Sequence, residues 1–333
     1  MKKHAISILK FLFFFGVGLL LIWLAVRDLT DNDKSSIKEA FTQANYFWIV
    51  VSMILSALSH LLRAMRWKIL IQPLGFNPKL SNTFFAVMVG YLANFALPRL
   101  GEVSRCGVLT KYEKIPFTES FGTVIAERAI DMLCLILIFL GTLVFQFQQL
   151  WGLTNEKIVT PLTTKLSSLM QSNLFILVFA LLMIGITVSF FIFRRRTKGK
   201  LYKKIIDVAL GFWEGLKSVK NIKRPYMFVF QTVIIWFLYT ALLYVGFFCF
   251  KETSQLPFGA ALAIMIFGSL GIAFVPGGTG AYQALVTETL TSAFKVSFTF
   301  AFAFAWLMWT AQFALTIILG VISLILLPIL NKE

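Results

Sequence analysis

Asn94-Phe-Ala-Leu-Pro-Arg-Leu-Gly-Glu-Val-Ser-Arg105 decides how the rest of the chain is read. An apolar segment enters it, Pro98 breaks that segment, and Arg99, Glu102 and Arg105 follow at helical spacing. A second break, Ala273-Phe-Val-Pro-Gly-Gly-Thr-Gly-Ala-Tyr-Gln283, stands late in the chain. Both interrupt long apolar runs where an ordinary membrane helix would continue. Lipid cannot satisfy the backbone groups freed at such a break, so protein or a wet cavity must surround it. Paired interruptions in two halves of a chain point to a transport site.

The composition supports a membrane setting. With 58% hydrophobic residues, 36 Phe and a mean hydropathy of +0.82, the sequence excludes a soluble globular protein. Several runs approach the roughly 18 apolar residues that mark a spanning helix. The expected fold is an all-α polytopic membrane protein, a single integral membrane domain over residues 1–333. The loops between runs leave no room for a separate soluble catalytic domain. The net charge of +16 reads as basic cytoplasmic loops rather than a nucleic-acid surface, so no nucleic acid is expected as a partner. Cys106, Cys134 and Cys249 lie in or beside apolar runs and read as packing residues, and His4 and His60 are the only histidines. No metal, cofactor or nucleotide motif is expected, and neither is enzymatic activity.

Taken in order, residues 11–26 form a first span, since Arg27-Asp28 rather than a cleavage motif follows, and residues 28–39 a polar loop. Residues 46–62 form a second span closed by Arg63, Arg66 and Lys68. Residues 81–97 run to Pro98, residues 103–114 form a short helix, and residues 117–147 form a span carrying Glu127, Arg128 and Asp131. Residues 174–193 span again. The basic segment 194–224 follows, either an amphipathic helix on the cytoplasmic surface or a solvated linker helix. Residues 226–250, 258–275, 281–294 and 296–327 complete the chain. These are about eight helical elements, read as two inverted units over 11–147 and 174–327, each with a Pro-broken hairpin.

If both breaks are hairpins that return to their own side, 23 Lys and Arg fall on one side and seven on the other, with Arg128 inside the membrane. The positive-inside rule then predicts cytoplasmic N- and C-termini in a cytoplasmic (inner) membrane.

Charged residues within or beside apolar segments need partners, because an Arg or Asp at the centre of a membrane helix costs about 2.5–3.5 kcal/mol on insertion scales. Arg99, Glu102 and Arg105 share one helical face; Arg128 and Asp131 share another at i, i+3; Glu127 needs a partner from elsewhere, with Arg105 or Arg99 the obvious supplier. Such a network either holds an anionic headgroup, which the planar guanidinium fork suits, or only holds helices together. At Pro276-Gly277-Gly278-Thr279-Gly280 the glycines permit positive φ, and a helix from Ala281 would aim free N–H groups at the break. A tight turn between packed half-helices explains the same residues.

Arg99-Leu-Gly-Glu102-Val-Ser-Arg105, Glu127-Arg128-Ala-Ile-Asp131 and Pro276-Gly-Gly-Thr-Gly280, in this order, resemble the flippase-like membrane domain of bacterial lysylphosphatidylglycerol synthases. The resemblance covers nearly the whole chain. It implies a domain that moves a modified phospholipid to the outer leaflet, in a stand-alone form without the aminoacyl-transferase domain. It places the family's R-x-G-E-x-x-R pattern on Arg99, Gly101, Glu102 and Arg105, and its E-R-x-x-D pattern on Glu127, Arg128 and Asp131. Where relatives often carry an acid after P-G-G-x-G, this chain has Gln283, with Glu288 further on. With the residues of the second break, Pro276, Gly277, Gly278 and Gly280, these form the expected substrate site. The expected partners are membrane lipids with an anionic or aminoacylated headgroup, with room for a partner enzyme. An assembly subunit of a lipid-modifying or envelope complex, a soluble-solute transporter and an intramembrane lipid-phosphate transferase stay open as alternatives.

Overall fold

In a computed structural model the chain is described over residues 31–96, 100–145 and 220–331. These residues form nine helices and no strand: α1 Asp31–Gln43, α2 Tyr46–Ile71, α3 Leu80–Ala96, α4 Leu100–Glu113, α5 Phe117–Phe145, α6 Pro225–Gly246, α7 Phe258–Phe274, α8 Ala281–Glu288 and α9 Phe298–Leu330. The expected spans 11–26 and 174–193, most of the basic segment 194–224, and Leu97, Pro98 and Arg99 lie outside the described residues.

Among the described residues, three helices, Tyr46–Leu74, Pro225–Cys249 and Phe298–Leu330, are long and apolar enough to cross a membrane. Their outward faces agree with that. Phe47, Val50, Ile54 and Leu58 stand exposed along α2, and Ile318, Val321, Ile322 and Ile325 along α9. Apolar stripes of this extent at helical spacing would be an aggregation hazard in water and are ordinary against lipid. The protein is an all-α integral membrane protein.

Two differences from the sequence reading concern α1 and α2. Residues expected as a polar loop form α1, because Ile37 and Ala40 fall on one face and are buried, as is Ala44 just past its end; average polarity concealed that stripe. The span expected to close at Arg63 instead continues to Ile71. Asn45 starts it, its side-chain oxygen accepting from the Phe47 amide at 3.2 Å. Beyond Arg63 and Arg66 the helix buries Trp67, Leu70 and Ile71, so the two arginines sit within a packed helix rather than at a water-facing end.

Two cores organise the packing. One joins Trp67, Leu70 and Ile71 of α2 to Ala86 and Val87 of α3, Cys106 and Leu109 of α4 and Val124 of α5. The other joins α6 to the second hairpin and α9 through Phe247, Ile264, Val286, Phe304 and Met308.

Each broken segment is a hairpin, and they enter from opposite ends. At the start of α3, the Lys79 amide and Asn82 side chain both donate to Glu113 Oε1 at the end of α4, at 3.0 and 2.6 Å. Asn82 and Asn331, at the end of α9, exchange amide hydrogen bonds of 2.9 and 2.8 Å. At the other end, the Asn45 amide donates to Cys249 carbonyl at 2.9 Å, and the Phe250 and Phe300 rings meet at 5.7 Å. The second hairpin, α7–α8, begins and ends there.

Glycine permits the tight first hairpin. A Cβ on Gly101 would lie 2.1 Å from the Gly90 carbonyl oxygen and 2.6 Å from Asn94 Cγ. Asn94 uses that closeness, its side-chain oxygen accepting from the Gly101 amide at 2.7 Å.

Candidate functional site

Five charged side chains from three helices meet beside the first hairpin. Glu127, fully buried on α5, contacts Arg63 Nε at 2.9 Å, Arg66 Nη2 at 3.2 Å and Arg105 Nη2 at 2.9 Å. Asp131, one turn further, accepts from Arg63 Nη2 at 2.5 Å and Arg66 Nη2 at 2.7 Å. The spacing explains the arrangement: Arg63 and Arg66 at i, i+3 on α2 face Glu127 and Asp131 at i, i+4 on α5, so each carboxylate can bridge both guanidinium groups.

Further side chains fix the arginines. Arg63 Nη1 donates to the Tyr239 hydroxyl at 3.1 Å, and Arg66 Nη1 to Thr232 Oγ1 at 3.4 Å, both from α6. The Arg105 guanidinium lies over the Trp67 ring at 4.6 Å, and the Trp67 indole donates to Thr123 Oγ1 at 2.9 Å. Desolvating these ions costs several kcal/mol each, so their pairing is a condition of burial. The pairing is unequal: three guanidinium groups face two carboxylates, leaving one positive charge in excess. Arg66 Nε and Arg105 Nε, both buried, have no hydrogen-bond partner among the described residues.

Arg128 and Glu102 form a separate pair at 2.7 Å, with side chains 41% and 15% exposed. Charged groups thus run from a half-exposed edge at Arg128 inward to Arg105 and Glu127.

Sequence spacing read this site only in part. Glu127 does draw its partner Arg105 from another helix. The i, i+3 pairing of Arg128 with Asp131 does not occur: Arg128 turns to Glu102, and Asp131 to Arg63 and Arg66. Arg63 and Arg66 were absent from the expected site, because basic residues after an apolar run look like interfacial flanks. The signal was the apolar Ile69-Leu-Ile71 after them, which shows the buried helix continuing. Arg99 lies outside the described residues.

The second break is formed by Pro276–Gly278, with Gly277 and Gly278 at φ +65° and +72° and Gly280 at φ +78°. These left-handed conformations turn the chain from α7 into α8 and favour glycine. The Trp309 indole of α9 holds the break by donating to the Gly277 carbonyl at 2.8 Å. The two breaks touch. A Cβ on Gly277 would lie 2.6 Å from Cδ1 of Phe95, the ring at the end of α3, which also packs on Phe313 at 4.7 Å. Gln283, in the first turn of α8, is buried with neither side-chain polar atom partnered among the described residues. Glu288 accepts from Ser292 Oγ at 2.7 Å.

A polytopic helical membrane protein in which two broken hairpins enter from opposite ends and touch, beside a buried cluster of ionised side chains, defines the class. The sequence pattern of the lysylphosphatidylglycerol synthase TM region matches residues 7–320, and the chain belongs to that family. It is also similar to the UPF0104 membrane protein MJ1595 of Methanocaldococcus jannaschii, 25% identical over 342 residues that cover 98% of this chain and 95% of the relative. No solved structure matches the chain.

Proposed function

We propose that the protein moves a phospholipid or lipid-linked polar headgroup between membrane leaflets, the acyl chains staying in lipid while the headgroup enters between the two broken hairpins. The observation that carries this reading is the excess positive charge of the buried Arg63, Arg66 and Arg105 cluster, with donors left over at Arg66 Nε and Arg105 Nε. A phosphate is the ligand that guanidinium donors suit, through its charge and its several acceptor oxygens. The half-exposed Arg128–Glu102 pair supplies an approach, because an incoming anion can replace Glu102 on Arg128 before reaching Arg105. Membership of a family named for lysylphosphatidylglycerol synthesis supports a lipid rather than a soluble cargo. The bias of Lys and Arg supports cytoplasmic termini and a cytoplasmic-membrane location. An anionic or aminoacylated lipid is the proposed substrate class.

A second reading is favoured by the complete burial of Glu127 among three arginines: the cluster only fastens α2, α4 and α5 together. One experiment separates the two. Purified protein is reconstituted in proteoliposomes with reporter lipids bearing anionic, zwitterionic and aminoacylated headgroups, beside Arg105→Ala. Headgroup-dependent translocation lost in a variant that remains folded supports the transport reading. Unchanged translocation in a folded variant, or no movement of any reporter by the parent, refutes it.

A further inference from the structure

The second hairpin carries a feature that the charge cluster does not use. A cavity of about 190 Å³ opens at Gly280 between α8 and the first turns of α9, with Gln283, Thr287 and Glu288 facing Phe302 and Trp306. None of its lining residues among those described is Lys or Arg. Gln283 is 3% exposed and Thr287 6%. Both polar atoms of the Gln283 carboxamide, the Thr287 hydroxyl and the Trp306 indole nitrogen are buried without a hydrogen-bond partner among the described residues.

Thr287 departs from the habit of its neighbours. Thr232, Thr240, Thr289 and Thr316 each donate to the carbonyl four residues earlier, which is how a helical threonine satisfies itself in apolar surroundings. Thr287 forgoes that bond. It stands at i, i+4 from Gln283, so both line one helical face. Immediately below, the helix widens into a π-turn over Thr289–Ala293, a distortion that recurs at functional sites. Several unpaired buried polar groups on one cavity wall call for a ligand that both donates and accepts.

The chemistry narrows that ligand. Among the described lining residues no cation is present to hold an anion, and the one charged side chain, the Glu288 carboxylate, is already engaged, accepting from Ser292 Oγ. An ammonium group has no acceptor, so the Gln283 and Trp306 N–H groups would stay unpaired. Adjacent hydroxyls can accept from those N–H groups, donate to the Gln283 carbonyl and exchange with Thr287, while C–H faces rest on Phe302 and Trp306, whose rings lie 6.0 Å apart. The volume is below the roughly 300–1,000 Å³ of sites for drug-sized ligands, so one small group fits rather than a whole lipid.

We propose that this cavity binds a neutral polyhydroxyl group, a glycosyl or glycerol moiety, through Gln283, Thr287 and Trp306. The assignment goes beyond the translocation reading and does not depend on it, because it concerns retention of a ligand and not its movement.

The test uses the full chain in phosphatidylcholine nanodiscs doped with equal amounts of a monoglucosyl diacylglycerol and phosphatidylethanolamine, with retained lipid counted by native mass spectrometry. The glucosyl lipid is expected to be retained about tenfold over the ethanolamine lipid, the factor that one unmade hydrogen bond in a buried site supplies. Gln283→Leu, Thr287→Val and Trp306→Phe are each expected to erase that preference. Trp306→Phe keeps the ring and carries the test if a more disruptive variant fails to fold. Equal retention of both lipids by the parent, or an undiminished preference in folded Trp306→Phe, overturns the proposal. Free glucose that displaces the lipid assigns the same chemistry to a soluble source, and glucose that fails to compete assigns it to the headgroup. Absence of translocation in proteoliposomes leaves this result standing, so the two readings fail separately.

Discussion

Replacing Glu127 with Gln tests the charge cluster at its centre. The substitution keeps shape and volume and removes one charge. Three guanidinium contacts of 2.9, 3.2 and 2.9 Å then face a neutral amide, and Asp131 alone opposes three arginines. Breaking a buried ion pair by neutralising one partner costs about 3–5 kcal/mol, mostly the penalty of leaving charge buried and uncompensated. The folded-to-unfolded ratio should fall by roughly two to four orders of magnitude. The assay is reversible unfolding by denaturing detergent in mixed micelles, followed by circular dichroism. Arg128→Gln is the control: its side chain is 41% exposed, and a pair of that kind contributes about 0–1 kcal/mol. Adding Arg105→Met to Glu127→Gln removes one of the stranded cations, so the double variant should lose less than the two single losses together, by about 0.5–3 kcal/mol. Additive losses, or a Glu127→Gln loss no larger than that of Arg128→Gln, would refute the reasoning. Such a result would mean that water already reaches the cluster.

Other expectations follow from packing and from the second break. Gly101→Ala forces a Cβ to within 2.1 Å of the Gly90 carbonyl oxygen and should destabilise by about 3 kcal/mol, at the upper end of overpacking costs. Gly107→Ala, on the same helix with nothing within 4 Å of the added Cβ, should instead be neutral or stabilise by about 0.5–1 kcal/mol; unfolding titrations of the pair check the contrast. Trp309→Phe removes the hydrogen bond to the Gly277 carbonyl and should cost about 1 kcal/mol, with faster proteolysis near the second break as the readout. Among the thiols, Cys134 is partly exposed while Cys106 and Cys249 are buried, so a small maleimide should label Cys134 first and the other two only on unfolding, as peptide mapping would show.

Much of the fold was legible because backbone chemistry leaves few choices in an apolar chain. Pro276-Gly-Gly-Thr-Gly280 stops a helix whatever surrounds it, and the described hairpin turns there. Glu127 inside an apolar run announces partners on other helices, and Arg105 is one of the three it finds. Partner choice beyond this was hidden, since Arg128 and Asp131 satisfy helical spacing yet pair outward to different helices. Arg63 and Arg66 were obscured by context: a basic pair after an apolar stretch is the usual mark of a membrane boundary, and beyond the apolar Ile69-Leu-Ile71 that follows, it is the position of α5 that gives them their interior partners. The cavity at Gln283 was invisible for a similar reason, because an unpaired amide is defined by what fails to approach it.

The Phe95 ring occupies the space that any side chain at position 277 would need. Two segments far apart in sequence and entering from opposite ends are thereby meshed like a tooth in a notch. Neither half-helix can slide past the other without lifting that ring out or carrying the opposite break along. Any movement of one break relative to the other must therefore shift the Phe95 ring, which bears on Phe313 of α9, while Trp309 of the same helix holds Gly277.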